Sequence, residues 1–158
     1  MREVEYCHLS HRLLIRNDVF RKFQEYFDKS RKREAGGILL GYVYEDNSEV
    51  ANATCPNRFD LFGYNYFVRS KRGAQPKINK AWTRSNGTLI YLGEWHTHFE
   101  KYPKPSATDK SLMINSLRTT KMEIDFLFLI IIGLDNTYWV GKQVGDKLIE
   151  LKRIGLEC

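Results

Sequence analysis

The sequence has few of the residues that build disulfide frameworks or membrane spans. Among its 158 residues are three scattered cysteines and four prolines. An odd number of isolated cysteines predicts no disulfide framework, and we expect a reducing, cytoplasmic location. No apolar run approaches the roughly 20 residues that a membrane-spanning helix needs, and the N-terminus lacks a signal-peptide pattern. We therefore expect no membrane partner. The cysteines are Cys7, Cys55 and Cys158.

The composition that remains is that of one globular unit. Hydrophobic residues make up 42% of the chain and aromatic residues 13%, which suffices for one domain over residues 1–158. The net charge of +6 suits nucleic acid or a partner with an acidic surface. Because the chain has no zinc-finger cysteine pattern, ribonucleoprotein motif or long basic tail, we expect a protein partner rather than nucleic acid.

Hydrophobic periodicity and turn signals predict the element order α-β-β-α-β-α-β-β-β. This order implies an α/β fold in which helices flank a mixed sheet. On the second helix, Ile78, Ala81 and Trp82 are expected to face the core. The predicted helices cover residues 17 to about 33, residues 75–85, and a segment capped by Ser106. The predicted strands cover residues 38–44, 49–55, 88–98, 126–133, 137–144 and 147–153.

Residues 96–109 carry a pattern typical of a metal site. His96 and His98 are separated by one residue at the end of a predicted strand, so both rings face one side and can close on one metal. Asp109 arrives from a different element. Two imidazoles and a carboxylate are the ligand set of a catalytic zinc, with the fourth position left for water. Alternatively, the histidine pair is an accident and Ser106 with Asp109 is only a helix N-cap, although a cap and a ligand are compatible. We predict one Zn²⁺ per chain.

A zinc hydrolase also needs a general base beside its water. Three carboxylates are candidates. Glu94 shares the strand face of His96 but lies one step deeper, whereas Glu100 lies in the following loop. Glu34 is distant in sequence. It is the last residue of a charged run at residues 31–34, and such a run is usually a solvated surface. The residues themselves do not decide between the three.

A family resemblance does decide. The block at residues 34–41, Glu-Ala-Gly-Gly-Ile-Leu-Leu-Gly, combined with His-Thr-His, seven residues, Ser, two residues and Asp, resembles the JAMM motif of the JAB/MPN metalloproteases. It implies a cytidine-deaminase-like α/β/α sandwich and a peptidase or isopeptidase. It also implies that Glu34 is the general base and that Ser106 supports the oxyanion. The implied zinc ligands are His96, His98 and Asp109. Phe99 departs from the pattern, since a proline commonly follows the second histidine.

Residues 91–98, Tyr-Leu-Gly-Glu-Trp-His-Thr-His, are similar to a narrower group of bacterial JAB proteins. These are encoded beside ubiquitin-activating-like and ubiquitin-conjugating-like enzymes, and they include the JAB peptidases of CBASS anti-phage operons. There the activating enzyme joins the C-terminus of a cGAS-like nucleotidyltransferase to target proteins, and the JAB protein removes it. The similarity implies a protein substrate with a flexible C-terminal tail. The alternatives are a deubiquitinase-like protease for a bacterial ubiquitin-like protein and a catalytically silent MPN-type scaffold.

Three other features of the sequence have a functional interpretation and a simpler alternative. Cys7, His8 and His11 raise the possibility of a thiol protease, but a catalytic cysteine and histidine are spatial rather than sequential neighbours. The glycines at residues 36–41 lack the Lys-Ser/Thr of a phosphate loop and open a strand. Residues 59–72 mix aromatic and basic side chains; they are either a loop packed on the core or a substrate-binding insertion near the zinc, with nucleic-acid stacking a third alternative.

Overall fold

The fold combines ten strands and three α-helices within the described part of the chain. The structure is a computed structural model that describes residues 3–29, 33–55, 61–62, 67–68 and 71–155. The mixed α/β class is as predicted. The strands are β1 (Glu3–His8), β2 (His11–Arg16), β3 (Gly36–Val43), β4 (Ser48–Ala53), β5 (Leu61–Phe62), β6 (Phe67–Val68), β7 (Ile90–Thr97), β8 (Phe126–Ile132), β9 (Tyr138–Val144) and β10 (Lys147–Arg153). The helices are α1 (Asn17–Lys29), α2 (Lys71–Arg84) and α3 (Ala107–Thr119).

Eight strands form one closed sheet in the order β1-β10-β9-β8-β7-β3-β4-β2. The pairs β7–β8 and β2–β4 are parallel, and the predicted hairpin β3–β4 is antiparallel. The mixed sheet is therefore confirmed, but it is a closed barrel rather than the sheet of the expected α/β/α sandwich. The N-terminal hairpin β1–β2 pairs with β10 on one side and β4 on the other, and so closes the sheet into a barrel.

The closing hairpin escaped the sequence prediction because its turn carries no ordinary signal. A two-residue hairpin turn requires positive φ angles, for which Gly, Asn and Asp are preferred. Here Leu9 takes that role with φ of 51°, followed by Ser10. The alternation in β2 is regular, since Leu13 and Ile15 are fully buried. A regular strand with an irregular turn is therefore easily overlooked.

Helices cover both faces of the central strands, as a sandwich would require. Inside the barrel, Phe128 and Ile130 of β8 pack in the same cluster as Phe23 of α1. On the outer face, Leu129 of β8 packs in a second cluster with Met113 of α3. A strand buried on both faces reads as a continuous apolar run, which explains the sequence Phe-Leu-Phe-Leu-Ile-Ile-Ile of β8. This buried strand pairs in parallel with β7.

The helix boundaries differ modestly from the predicted ones. Within the described residues α1 ends at Lys29, and α2 begins at Lys71, four residues before its predicted start. The inward orientation of Trp82 is wrong, because its side chain is exposed. Its carbonyl accepts a hydrogen bond from the Gly87 N–H at 2.8 Å, and its ring lies over that glycine where the helix ends. None of the helices in the described ranges is long and apolar enough to cross a membrane.

Candidate metal centre

His96 lies at the C-terminal end of β7 and His98 directly follows that strand, and their rings face the same side of the sheet. In the strand register, His96 lies opposite Gly36 of β3 and opposite Ile131 of β8. The His98 N–H donates to the carbonyl of Ile132 at 2.8 Å. Both histidines are buried, and their ring centroids are 4.9 Å apart. The pairing on both sides of β7 thus presents two imidazoles as a preformed pair.

Asp109 reaches these histidines from the first turn of α3. The Ser106 hydroxyl oxygen accepts a hydrogen bond from the Asp109 N–H at 3.1 Å, and Asp109 Oδ2 accepts one from the Ser106 N–H at 2.7 Å. This capping box satisfies two helix-terminal N–H groups and orients the carboxylate. Asp109 Oδ1 lies 3.2 Å from Nε2 of His96, and Oδ2 lies 3.3 Å from Nε2 of His98. The cap therefore aims the carboxylate at both imidazoles.

The three side chains fit a tetrahedral zinc ion. One ligand atom from each lies within 4.8 Å of the others. Tetrahedral ligands at roughly 2.0–2.1 Å from zinc are about 3.3 Å apart. The two imidazole nitrogens lie at a similar distance from the carboxylate, 3.2 Å from Oδ1 and 3.3 Å from Oδ2. Nε2 of His96 is buried and, apart from its 3.2 Å contact with Asp109 Oδ1, has no hydrogen-bond partner among the described residues. Such an atom is uncommon unless something else binds it.

Glu34 is brought to the same place by the pairing of β3 with β7. Because Gly36 lies opposite His96 in an antiparallel ladder, continuing the register places Glu34 opposite His98. The next residue, Ala35, is bonded to Thr97 twice: its carbonyl accepts from the Thr97 N–H at 2.8 Å, and its own N–H donates to Thr97 Oγ1 at 2.9 Å. Glu34 is half-buried. A residue 62 positions before His96 thus becomes its neighbour through strand pairing.

Burial and neighbouring charges shift the pKa values of the site. Burial acts to raise the pKa of Asp109, but contacts with the two imidazoles outweigh it and hold that pKa well below its usual range. Burial acts to lower the pKa of His98, but Asp109 and Glu34 outweigh it and raise that pKa. Burial raises the pKa of Glu34, offset in part by His98 and His96. The Asp109 carboxylate is thus held ionised, whereas the Glu34 carboxylate has an increased affinity for a proton.

The two other candidate bases lie in different surroundings. Glu94 is on the same strand face as His96, as predicted, but its Oε1 accepts hydrogen bonds from the Tyr91 hydroxyl at 3.0 Å and the Ser116 hydroxyl at 3.2 Å. Glu100 is largely exposed, and its Oε2 lies 3.9 Å from Nδ1 of His98, on the ring edge away from Asp109. Of the three carboxylates, Glu34 is therefore the best placed to reach a water between the ligands.

The remaining sequence candidates lie on β1 and β2, in the loop after β7 and at residues 59–72. Cys7 and His8 are consecutive on β1, so their side chains leave opposite faces of the strand. Nδ1 of His11 contacts the Lys142 amine at 3.1 Å. Phe99, which replaces the usual proline, packs its ring 5.4 Å from that of Phe27 in α1. Most of the segment at residues 59–72 lies outside the described residues, so its expected role in substrate binding stays a prediction.

A His-x-His pair at a strand end and an aspartate at a helix start, with a half-buried glutamate across the strand pair, are the side-chain types that zinc hydrolases use to hold the metal and to move a proton. The family model for prokaryotic homologues of the JAB domain matches residues 16–143, and the chain belongs to that family. The match confirms the family resemblance, and it includes both the glutamate block and the histidine block.

Several bacterial relatives bear the name CD-NTase/cGAS isopeptidase. The Escherichia coli protein (strain TW11681) is 31% identical over 121 residues, which cover 76% of this chain and 74% of the relative. The Vibrio cholerae protein is 33% identical over 121 residues, covering 77% and 74%. The Pseudomonas aeruginosa protein is 36% identical over 105 residues, covering 66% of each. The solution structure of a Desulfitobacterium hafniense protein shares the fold, with a TM-score of 0.65 and 21% identity over 86% of this chain and 87% of that one.

Proposed function

We propose that this protein is a zinc-dependent isopeptidase that removes a bacterial protein tail from the amine to which it is joined. The observation that carries the proposal is the convergence of His96, His98 and Asp109, whose ligand atoms lie within 4.8 Å of one another, beside the half-buried Glu34. The names of the relatives support the isopeptidase activity. A scaffold without catalysis would not require this donor set.

In the proposed mechanism, His96, His98 and Asp109 hold the zinc ion. When bound, zinc supplies a Lewis acid that acidifies water and polarises a carbonyl. Glu34 accepts a proton from the attacking water, and its raised pKa suits it to hold that proton. The water oxygen forms a bond to the amide carbon, the C–N bond breaks, and Glu34 returns the proton to the leaving amine. Water and amide thus give a free carboxylate and a free amine without a covalent enzyme intermediate.

Ser106 is proposed to stabilise the negative charge that develops on the carbonyl oxygen. Its hydroxyl oxygen already accepts a hydrogen bond from the Asp109 N–H. The hydroxyl proton is therefore not used in the cap and can be donated to an oxyanion. Because the capping box fixes Ser106 relative to Asp109, this donor is preorganised, which is the property that makes oxyanion donors effective.

The proposed substrate is the C-terminal tail of a cGAS-like nucleotidyltransferase joined to a target protein in anti-phage (CBASS) defence. The relatives named CD-NTase/cGAS isopeptidase support this class of substrate. The conjugate would be made by a ubiquitin-activating-like or ubiquitin-conjugating-like enzyme. The net charge of +6 suits a tail or target with acidic residues. The free thiols of Cys7 and Cys55 support a reducing cytoplasm as the location.

A fusion substrate tests this proposal. The C-terminus of a bacterial cGAS-like nucleotidyltransferase is joined to a reporter and incubated with wild-type protein or the Glu34→Gln variant, each with a measured zinc content. We expect cleavage at the junction by wild-type protein alone. If only a ubiquitin-like fusion is cut, the substrate assignment is wrong but the isopeptidase activity stands. If zinc-loaded wild-type protein cuts neither fusion, the proposed activity is wrong.

A further inference from the structure

Thr97, between the two histidines, has an unusual hydrogen-bonding role. In a regular antiparallel ladder, directly opposed residues of a hydrogen-bonded pair exchange two backbone N–H to carbonyl bonds. The pair of Thr97 and Ala35 keeps one of these, from the Thr97 N–H to the Ala35 carbonyl. In the other direction, the Ala35 N–H donates at 2.9 Å to the hydroxyl oxygen of Thr97. A side chain thus takes the place of a backbone acceptor.

This substitution occurs where the strand ladder between β3 and β7 ends. The register of the paired strands stops at Gly36 opposite His96. The hydroxyl of Thr97 extends the bonding by one residue, to Ala35, which immediately follows Glu34. Ala35 and Thr97 are both buried, Thr97 completely. A buried N–H needs a partner, so the hydroxyl restricts the backbone at Ala35 to one orientation.

We propose that Thr97 is a positioning residue for Glu34, an inference that rests on the proposed function. Its neighbours His96 and His98 face Asp109, while its own hydroxyl binds the backbone next to the proposed general base. One three-residue segment thereby fixes both the two histidines and the position of Glu34 relative to them. Since a shift of about 1 Å in a catalytic group can reduce turnover about a hundredfold, this hydrogen bond acts on the rate through Glu34.

The test compares three variants in cleavage of the fusion substrate. Thr97→Val keeps the side-chain shape but removes the acceptor, and we expect kcat to fall about 10- to 100-fold with KM and zinc content unchanged. Thr97→Ser keeps the acceptor and should retain most of kcat. The matched control is Thr54→Val, because Thr54 Oγ1 likewise accepts a hydrogen bond from a backbone N–H, that of Ile38 in β3, at 3.1 Å and farther along the chain from Glu34. Wild-type kcat in Thr97→Val, or equal losses in the Ser and Val variants, would overturn the proposal.

A double-mutant cycle with Glu34→Gln separates positioning from general structural damage. If Thr97 acts through Glu34, adding Thr97→Val to Glu34→Gln should cause little further loss of kcat. Fully multiplicative losses would contradict the proposal. Amide hydrogen exchange of Ala35, measured by NMR, provides a readout that needs no substrate. Faster exchange in Thr97→Val than in Thr54→Val is expected, and unchanged exchange overturns the proposal even if wild-type protein cleaves nothing and the proposed function itself fails.

Discussion

Two polar clusters lie between β7 and α3, and they differ in how their polar atoms are satisfied. The clamp cluster consists of Tyr91, Glu94 and Ser116, where one carboxylate oxygen accepts two side-chain hydrogen bonds at 3.0 and 3.2 Å. The metal cluster consists of His96, His98 and Asp109, where a buried imidazole nitrogen has no hydrogen-bond partner among the described residues.

A structural polar cluster and a binding cluster can be distinguished by how completely their polar atoms are hydrogen-bonded. A buried polar cluster whose groups satisfy one another adds rigidity to a fold. A cluster whose buried polar atoms are close but incompletely bonded is instead a candidate for binding a ligand or metal. The clamp cluster joins the C-terminal part of α3 to β7, and the metal cluster joins the first turn of α3 to the end of that strand. The clamp cluster therefore helps to hold α3 against β7 next to the metal cluster.

The largest expected effect is that of Asp109→Ala, which removes the only carboxylate of the metal cluster. We expect zinc to be lost and cleavage to be abolished, because two histidines alone do not complete a zinc site. Metal analysis of the purified variant and a cleavage assay check this. The exposed Asp46→Ala is the control and should keep both. Full zinc content in Asp109→Ala would show that the ligand set is wrong.

The second effect separates metal binding from catalysis. Glu34→Gln should keep zinc and fold but lose about 10²–10⁴-fold in kcat, because the amide cannot accept a proton from the water. Zinc content and kcat are measured on the same preparation. Glu100→Gln is the matched control, since that carboxylate is largely exposed. A reversed result, with Glu100→Gln inactive and Glu34→Gln active, would move the role of base to Glu100.

Ser106→Ala should have a smaller effect on the same reaction. Loss of one oxyanion donor reduces kcat by about 10²–10³, while zinc stays bound. The variant also loses the N-cap of α3, and we expect about 1 kcal/mol less free energy of unfolding. Steady-state kinetics and denaturant unfolding measure the two effects separately. A loss of stability with unchanged kcat would limit Ser106 to its capping role.

Zinc affinity should fall as the pH is lowered. The pKa of His98 in the metal-free protein is raised above the ordinary value of 6.5. A proton on His98 must leave before the nitrogen can bind zinc, so below this pKa the affinity should decrease about tenfold per pH unit. Titration with a competing zinc chelator at several pH values measures this dependence. A zinc affinity that does not change between about pH 5 and pH 7 would be incompatible with His98 as a ligand.

The smallest expected effect is in the clamp cluster. Ser116→Ala removes one of the two hydrogen bonds to Glu94 and should lower the free energy of unfolding by about 1 kcal/mol. Zinc content should be unchanged, because Tyr91 still bonds to Glu94 and the capping box still holds Asp109. Denaturant unfolding and metal analysis test both statements. Loss of zinc from Ser116→Ala would mean that the two clusters are not functionally distinct.

Much of the fold was predictable from local patterns. The strands of residues 126–153 and the capped start of α3 follow from apolar runs, turn residues and the Ser106 cap. The closing hairpin was not predicted, because Leu9 holds a positive φ angle without the usual turn residue. The exposed Trp82 was also missed. Periodicity shows which residues share a helix face, but not where the apolar surface beneath that helix ends.

By itself, the sequence determined the two local halves of the site. Strand periodicity puts His96 and His98 on one face, and the capping box orients Asp109, since both depend only on near neighbours in the chain. The position of Glu34, whose role the family resemblance implied, has its physical basis in contacts between distant parts of the chain. The pairing of β3 with β7 brings Glu34 to the histidines and places the Thr97 hydroxyl against the backbone beside it. Strand pairing joins residues about 60 positions apart, and its register follows from packing of the whole sheet rather than from local sequence.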